Sequence, residues 1–302
     1  MSPVHPFVLI VGPTASGKSA LALRIAKAYG GAILNCDSLQ AYQRLDIGTA
    51  KPSPEERARV PHFLFDVRAP GEALTAGDFR RLALDVLARE LPRHRVFGVG
   101  GSGFYIQALE KGMFEVEKPD PAVERQVRVD ADTFGLEHLY RELERLDPEH
   151  AENVSPNDAY RIQRALVILR GSGRKVSALK RGLQANAFPY PLIKMGLMPT
   201  REQLLPRVRE RAEWMLARGL IQEVQSLLDE GWESWPPLHS VGYKECIQYL
   251  KGEVPEDRLL PLITERTMQL AKKQRTWFKR DSGVQWLDVD HPFERARQLM
   301  DG

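Results

Sequence analysis

Cysteine is scarce in this chain. Cys36 and Cys246 are the only two among 302 residues and lie far apart. That excludes a disulfide framework and the close Cys/His spacing of a zinc site. Long apolar runs are also missing. The N-terminal run, Phe7 to Val11, is five residues long, too short for a signal peptide or a membrane span, so a cytoplasmic protein without a membrane partner is expected. Internal repeats and low-complexity segments are lacking. Acidic residues are missing from one long stretch. Between Ala159 and Arg201 there is no Asp or Glu, yet Arg161, Arg164, Arg170, Arg174, Lys175, Lys180, Arg181, Lys194 and Arg201 all fall there. The preceding stretch, Glu115 to Asp158, is the opposite, with 13 acidic and 5 basic residues. A second acid-free run, Arg266 to Arg280, carries Lys272, Lys273, Arg275 and Lys279. A net charge of +3 conceals this segregation. An ordinary solvated helix face mixes both signs, so the pattern predicts a polyanionic partner, a nucleic acid. Otherwise the composition, 43% hydrophobic and 27% charged, is that of a globular protein long enough for two domains.

Among the features present, the strongest is Gly12 to Ser19, GPTASGKS, a complete phosphate-binding loop after the apolar run Phe7–Val11. Glycines at both ends let backbone N–H groups point into one concavity. Lys18 supplies a point charge, and the hydroxyl of Ser19 suits Mg²⁺. The next helix, to about Gly30, aims its positive end at the same place. Gly12, Pro13, Thr14, Ala15, Ser16, Gly17, Lys18 and Ser19 are therefore the candidate site for a di- or triphosphate group.

The first hundred residues alternate short apolar runs (Phe7–Val11, Ala32–Cys36, His62–Val67, Val96–Val99) with helical patterns. Thr75 to Asp78 reads as a capping box. Phe79, Leu82, Ala83, Val86 and Leu87 then share one helical face. This predicts an α/β fold, a P-loop NTPase-like parallel sheet flanked by helices. After Gly112 the periodicity changes. EVEKPDPAVERQ reads as a linker, and the chain from there to about Ala187 is helical in character. The expected division is a catalytic core of residues 1–116 and 188–302, with an all-helical insertion domain of residues 117–187. Strand character returns at Pro191–Met198. Helices are expected from about Arg201 to Glu230 and from about Glu256 to Phe278, with a last strand at Val284–Val289.

Gly98 to Gly103 matches G-x-G-x-x-G, but the first strand–helix unit already holds the phosphate loop. No acidic residue stands where a dinucleotide ribose would need one. The glycines are expected to bring backbone close to the same phosphate site. A Walker-B aspartate is missing after Val96–Val99, where Gly100 and Gly101 stand instead. An acid does come after another strand: Asp37, directly after Ala32–Cys36. Ligands of open α/β sheets lie at the carboxyl ends of strands, so Asp37 should face the phosphate site as a general base, a metal ligand or a helix N-cap.

With these residues in view, GPTASGKS, CDS at Cys36–Ser38 and DIGTAKP at Asp46–Pro52 resemble the tRNA dimethylallyltransferases, or isopentenyl-tRNA transferases. So do DFRRLA at Asp78–Ala83, VGGSGFYIQAL at Val99–Leu109, PNDAYRIQRAL at Pro156–Leu166, VGYKE at Val241–Glu245 and AKKQRTWF at Ala271–Phe278. The resemblance implies transfer of a dimethylallyl group from its pyrophosphate to N6 of the adenine immediately 3′ of the anticodon, in tRNAs reading codons that begin with U. It implies Mg²⁺ and a bacterial cytoplasmic setting. It makes Asp37 the acceptor of the amine proton, and Lys18, Mg²⁺ near Ser19 and an arginine the groups that stabilise the leaving pyrophosphate. Arg207 and Arg211 match the family's R-x-x-x-R, and Arg211 is favoured. For the tRNA anticodon stem-loop it points to Asp37, Ser38, Leu39 and Gln40, and to Ser102, which stands where the family usually has Thr. It also points to Tyr160, Arg161, Ile162, Gln163 and Arg164, and to His239, Ser240, Val241, Gly242, Tyr243 and Lys244. Glu124 replaces the family's arginine after D-P-x-V, with Arg125 one place on. A monomer is expected. Rival readings are a P-loop nucleoside or metabolite kinase, an adenylate isopentenyltransferase acting on free AMP, and a nucleotide-switched RNA-binding protein without catalysis.

Overall fold

The computed structural model describes residues 5–114, 120–182 and 188–301. In chain order the first elements are β1 (Phe7–Val11), α1 (Lys18–Tyr29), β2 (Ala32–Asn35), α2 (Pro54–Arg57), β3 (His62–Phe63), α3 (Ala76–Glu90), β4 (Val96–Gly100) and α4 (Gly103–Lys111). Next come α5 (Pro121–Phe134), α6 (Leu136–Leu146), α7 (Pro148–Ala151), α8 (Ala159–Ser172) and α9 (Val176–Arg181). The rest comprises β5 (Leu192–Gly196), α10 (Arg201–Ala217), α11 (Leu220–Asp229), a 3₁₀ turn (Pro236–His239), α12 (Tyr243–Leu250), α13 (Glu256–Lys279), β6 (Gln285–Trp286) and α14 (Pro292–Asp301). Among the described residues, no helix is long and apolar enough to cross a membrane.

The chain divides into two compact units, residues 1–109 with 189–302, and residues 110–188. In the first, six parallel strands form one sheet in the order β3-β2-β4-β1-β5-β6, flanked by helices. Every residue of β1 is buried, as a central strand covered on both faces requires. Val8 and Ile10 pack with Leu21, Ile25, Phe97, Met195 and Met300. On the opposite face a Cβ at Gly98 would strike the Phe7 ring at 2.4 Å. Gly98 therefore serves sheet packing, whereas Gly101 of the same motif reaches the phosphate loop.

Several expected boundaries differ. The strand expected over His62–Val67 ends at Phe63, because Leu64 (φ 63°) and Asp66 (φ 55°) leave extended space. The single helix expected from Arg201 to Glu230 is broken at Gly219 (φ 99°) into α10 and α11. The last strand shrinks to two exposed edge residues, Gln285 and Trp286. PAVERQ, read as linker, opens α5 instead: Asp120 caps it through Ala122 N–H (2.8 Å), with Pro121 in the first turn. The linker's start, residues 115–119, and the end of the expected insertion at residue 187 lie outside the described residues. The α12 and α14 helices have no counterpart among the expected elements. The Thr75–Asp78 capping box is present.

The second unit is helical, and its core joins Val127, Leu139, Leu143, Ile162, Leu166 and Leu179. The segregated charges meet here, because α8 packs against α5 and α6. Arg170 binds Glu142 and Asp130 (2.5 Å each), Arg164 lies 3.7 Å from Glu124, and Arg181 lies 3.5 Å from Glu149. Much of the acid-free run thus answers the acidic stretch before it, so only the cations left over bear on the expected polyanionic partner. Arg174 and Lys175 are exposed, with no acidic partner among the described residues.

DIGTAKP forms a tightly held turn in the first unit. Lys51 donates to Asp46 (2.6 Å), Asp66 (2.7 Å) and the Tyr42 carbonyl (2.7 Å). A Cβ at Gly48 would meet the fully buried Tyr243 ring at 2.5 Å. We therefore expect Gly48→Ala to lose about 1–3 kcal/mol of stability through overpacking. A urea titration should show a lower midpoint with an unchanged slope, whereas an unshifted midpoint would mean the ring can move aside.

Candidate active site

Three strand ends build the site. The phosphate loop comes after β1, Asp37 after β2 and Ser102 after β4, and these strands are neighbours in the order β2-β4-β1. The loop is held by its special backbone. Gly12 has φ 151°, and a Cβ there would meet the Leu197 carbonyl oxygen at 2.5 Å. Ala15 (φ 59°) is left-handed without being glycine, a strained geometry typical of ligand-binding turns. Gly17 (φ 91°) is the N-cap of α1 and provides no side-chain cap. The first N–H groups of α1 are therefore open to an anion. The Ser16 hydroxyl is buried and has no hydrogen-bond partner among the described residues, which again suits a ligand oxygen.

Lys18 folds back onto the Pro13 carbonyl (3.1 Å). Its pKa is lowered to about 8, first by burial and then by the Arg211 cation, against the opposing pull of Asp37. Arg211 is also pressed down by burial and held up by Asp37. Two cations and one carboxylate therefore share the site, which leaves an excess positive charge for an anion. Arg211 donates to the Thr49 carbonyl (3.1 Å), while Arg207 is exposed.

Asn35, buried at the end of β2, fixes Asp37. Its side-chain oxygen accepts from Asp37 N–H (2.8 Å), and its amide donates to the Asp37 (2.9 Å) and Leu64 (3.0 Å) carbonyls. Asp37 Oδ1 accepts from Leu39 N–H (3.0 Å). No helix starts there, so the N-cap reading falls. The Ser102 hydroxyl accepts from Ser38 N–H (3.0 Å) and donates to Ser38 Oγ (3.2 Å), tying the ends of β2 and β4 together. Gln40 donates to the Thr49 (3.0 Å) and Ala50 (3.2 Å) carbonyls. Asp37, Ser38, Leu39 and Gln40 are all half-buried.

Sequence reasoning missed Gln274. It accepts from Thr14 N–H (2.8 Å) and donates to the Gly101 carbonyl (3.1 Å), bridging the phosphate loop to the β4–α4 turn. A Cβ at Gly101 would strike Gln274 at 2.5 Å and approach the Gly12 carbonyl oxygen at 3.3 Å. The available signal is AKKQRTWF, in which a lone amide interrupts a basic run.

The remaining site candidates separate by burial. Tyr243 and Ile162 are fully buried and Gly242 is buried. The Tyr243 and Ile162 side chains each fill the core of their own unit, so as side-chain contacts to RNA these two are corrected. His239 and Lys244 are exposed, and Ser240 and Val241 half-buried. A groove of about 340 Å³ has His239, Val241 and Lys244 on one wall and Arg266, Gln269 and Lys273 on the other, so the second acid-free run adjoins this segment. In the helical unit Tyr160 is 77% exposed, Arg161 exposed, and Gln163 and Arg164 half-buried. Glu124, at the departed position, is the partner of Arg164.

The charge balance makes a pH prediction. A bound organic pyrophosphate adds negative charge beside Lys18 and raises its pKa, so binding takes up a proton above about pH 8. Calorimetric affinity should be flat below about pH 7 and fall by up to about tenfold per pH unit above the break. Affinity that stays flat to about pH 9.5 would exclude Lys18 from the anion contact.

A parallel sheet whose first strand delivers GPTASGKS to an open helix N-terminus defines a P-loop phosphate-binding α/β protein. The chain belongs to the IPP transferase family, whose sequence model matches residues 40–281. It is 45% identical over 298 residues to the tRNA dimethylallyltransferase of Bdellovibrio bacteriovorus, covering 97% of this chain and 96% of that one. It is 43% identical over 289 residues to the tRNA dimethylallyltransferase of Geobacter metallireducens, covering 95% and 94%. The crystal structure of the full-length tRNA isopentenylpyrophosphate transferase of Bacillus halodurans superposes with a TM-score of 0.70 at 32% identity, covering 98% of this chain and 94% of that one.

Proposed function

We propose that this chain transfers a dimethylallyl group from dimethylallyl pyrophosphate to N6 of the adenine immediately 3′ of the anticodon, in tRNAs reading codons that begin with U. The product is N6-isopentenyladenosine, and the setting is the cytoplasm. The observation that carries the reading is Lys18 and Arg211 acting with Asp37 beside the uncapped start of α1, in a chain whose relatives bear that enzyme's name.

The pyrophosphate lies in the loop Gly12–Ser19, on the N–H groups at the uncapped start of α1. As N6 attacks the allylic carbon, a C–N bond forms and the C–O bond breaks. Its electron pair leaves with the pyrophosphate, where Lys18 and Arg211 stabilise the growing charge. Asp37 accepts the proton released by the attacking amine. No water is activated, which agrees with the missing Walker-B acid. A divalent cation fits as a partner of the pyrophosphate more than of the protein. Among the described residues no group of three or more His, Cys, Asp or Glu is gathered to cage one. Ser19 would hold Mg²⁺, with phosphate oxygens and waters completing the shell, and the ion would neutralise phosphate charge.

The test is direct. The purified chain, dimethylallyl pyrophosphate and unmodified tRNA should yield isopentenyladenosine by mass spectrometry. Product from AMP in place of tRNA would select the free-nucleotide transferase, and phosphoryl transfer from ATP would select the kinase.

The helical unit is proposed to clamp the tRNA. Arg174 and Lys175 are exposed cations of its basic run without an acidic partner among the described residues, whereas Arg181 is shared with Glu149 and Lys180 lies 3.1 Å from His150. Reversing Arg174, Lys175, Lys180 and Arg181 to Glu should weaken tRNA binding. It should also flatten the log–log salt slope by about 0.7–0.9 for each phosphate no longer neutralised. Most of the change should come from Arg174 and Lys175 alone, and affinity for dimethylallyl pyrophosphate should not move. Wild-type tRNA binding at every salt concentration would shift the clamp to the groove beside Lys244 and Lys273.

A further inference from the structure

We infer that Glu223 is a positioning residue for the proposed reaction, setting Arg211 and Gln40 through the backbone of residues 46–50. Glu223 lies on α11, outside the phosphate loop, yet its carboxylate fills a nest of backbone donors. Oε2 accepts from Asp46 N–H (3.1 Å) and Ile47 N–H (2.8 Å), and Oε1 accepts from Gly48 N–H (3.2 Å). Tyr243 adds its hydroxyl to Oε1 (2.6 Å). Successive N–H groups curled around one anion fix the local backbone strongly.

The next residue uses that fixed geometry. The Thr49 carbonyl accepts from Arg211 (3.1 Å) and from Gln40 (3.0 Å), and the Thr49 hydroxyl is returned to the Leu45 carbonyl (2.7 Å). Thr49 itself is buried. The same helix clamps the start of this segment, where Arg44 pairs with Glu230 (2.7 Å) and Ser226 (3.1 Å). One carbonyl therefore aims both the cation that faces the pyrophosphate and the amide beyond the Asp37 turn, and Glu223 decides where that carbonyl points. The inference rests on Arg211 contacting the pyrophosphate, as proposed above.

A double-mutant cycle tests it. Glu223→Gln keeps the shape and removes the charge. It should lower kcat about 10- to 100-fold, the scale of a small misplacement, with KM for tRNA nearly unchanged. In an Arg211→Ala background the same substitution should cost clearly less than in the wild type, because one of the two groups it aims is already gone and only Gln40 is left to misplace. Glu223→Asp should recover part of the rate. If Glu223→Gln is too unstable to assay, Tyr243→Phe keeps the ring packed on Gly48 and removes one donor. It should give a smaller loss that likewise shrinks with Arg211→Ala. The cycle is repeated on the affinity for inorganic pyrophosphate, which needs no prenyl transfer. Coupling there together with an inactive wild type would remove the proposed function and leave the positioning role. Additive effects in both readouts would make Glu223 a purely structural clamp and overturn the inference.

Discussion

Asp37→Asn should slow transfer by about 10²–10⁴, the range of a lost general base, while tRNA affinity stays nearly intact. The substitution is close to isosteric. Asparagine retains the oxygen that accepts from Leu39 N–H, and Asn35 continues to hold the turn. Only the charge and the proton acceptor are removed. That charge acts on both Lys18 and Arg211, so its loss makes the site more positive. Losing Asp37 also lets the Lys18 pKa fall further below its wild-type value of about 8, so the comparison belongs at about pH 6, well below that value, where the variant should bind inorganic pyrophosphate as tightly as the wild type, or more tightly, while turning over slowly. This combination separates the candidate roles. A metal ligand would lose Mg²⁺-dependent pyrophosphate affinity, and excess Mg²⁺ would restore the rate. Wild-type turnover with unaltered metal dependence would remove Asp37 from the chemistry.

Much of the fold is legible in the sequence because local signals agree with one another. Phe7–Val11 is a buried run ending in a glycine-rich turn, and it is β1 residue for residue. The Thr75 capping box begins α3 as its spacing requires. Legibility fails where one backbone angle or one tertiary contact decides the outcome. Nothing apolar or polar in the sequence marks Leu64 and Asp66 as left-handed, yet those two residues end β3. Gly219 breaks a helix whose apolar pattern continues across it. The charge pattern has two readings for a physical reason. Segregation along the chain suits an outside polyanion, but equally suits two helices that pack together and neutralise each other. Arg170 between Asp130 and Glu142 is the second case.

The site divides in the same way. Apart from Arg211 on α10, the residues proposed to touch phosphate stand in one contiguous motif and can be read without a fold. The residues proposed to position them are scattered: Gln274 on α13 and Glu223 on α11 are each one polar residue among several on their helices. Their meaning appears only when the helix is laid against the loop. Tyr243 shows the converse. It lies in a segment resembling a tRNA contact, but its ring fills the space left by Gly48 and its hydroxyl ends on Glu223.

Lys18→Ala should raise the barrier to transfer by about 2.7–4 kcal/mol, the cost of removing one preorganised donor at a developing negative charge. The rate would then fall about 10²- to 10³-fold. Much of the loss should appear in kcat, because charge on the bridging oxygen grows as the C–O bond breaks. Ground-state affinity for the pyrophosphate should fall less, since the α1 N-terminus remains uncapped and Arg211 keeps its charge. The tRNA affinity should not change. One further readout ties the effect to this side chain: with Lys18 gone, the break in pyrophosphate affinity near pH 8 should disappear, because it is the Lys18 ammonium that titrates there. Arg211→Ala makes the complementary test. It removes a cation that lowers the Lys18 pKa, so the break should remain and move upward. A Lys18→Ala enzyme that keeps wild-type turnover and the same pH break would place the leaving group elsewhere than on the loop Gly12–Ser19.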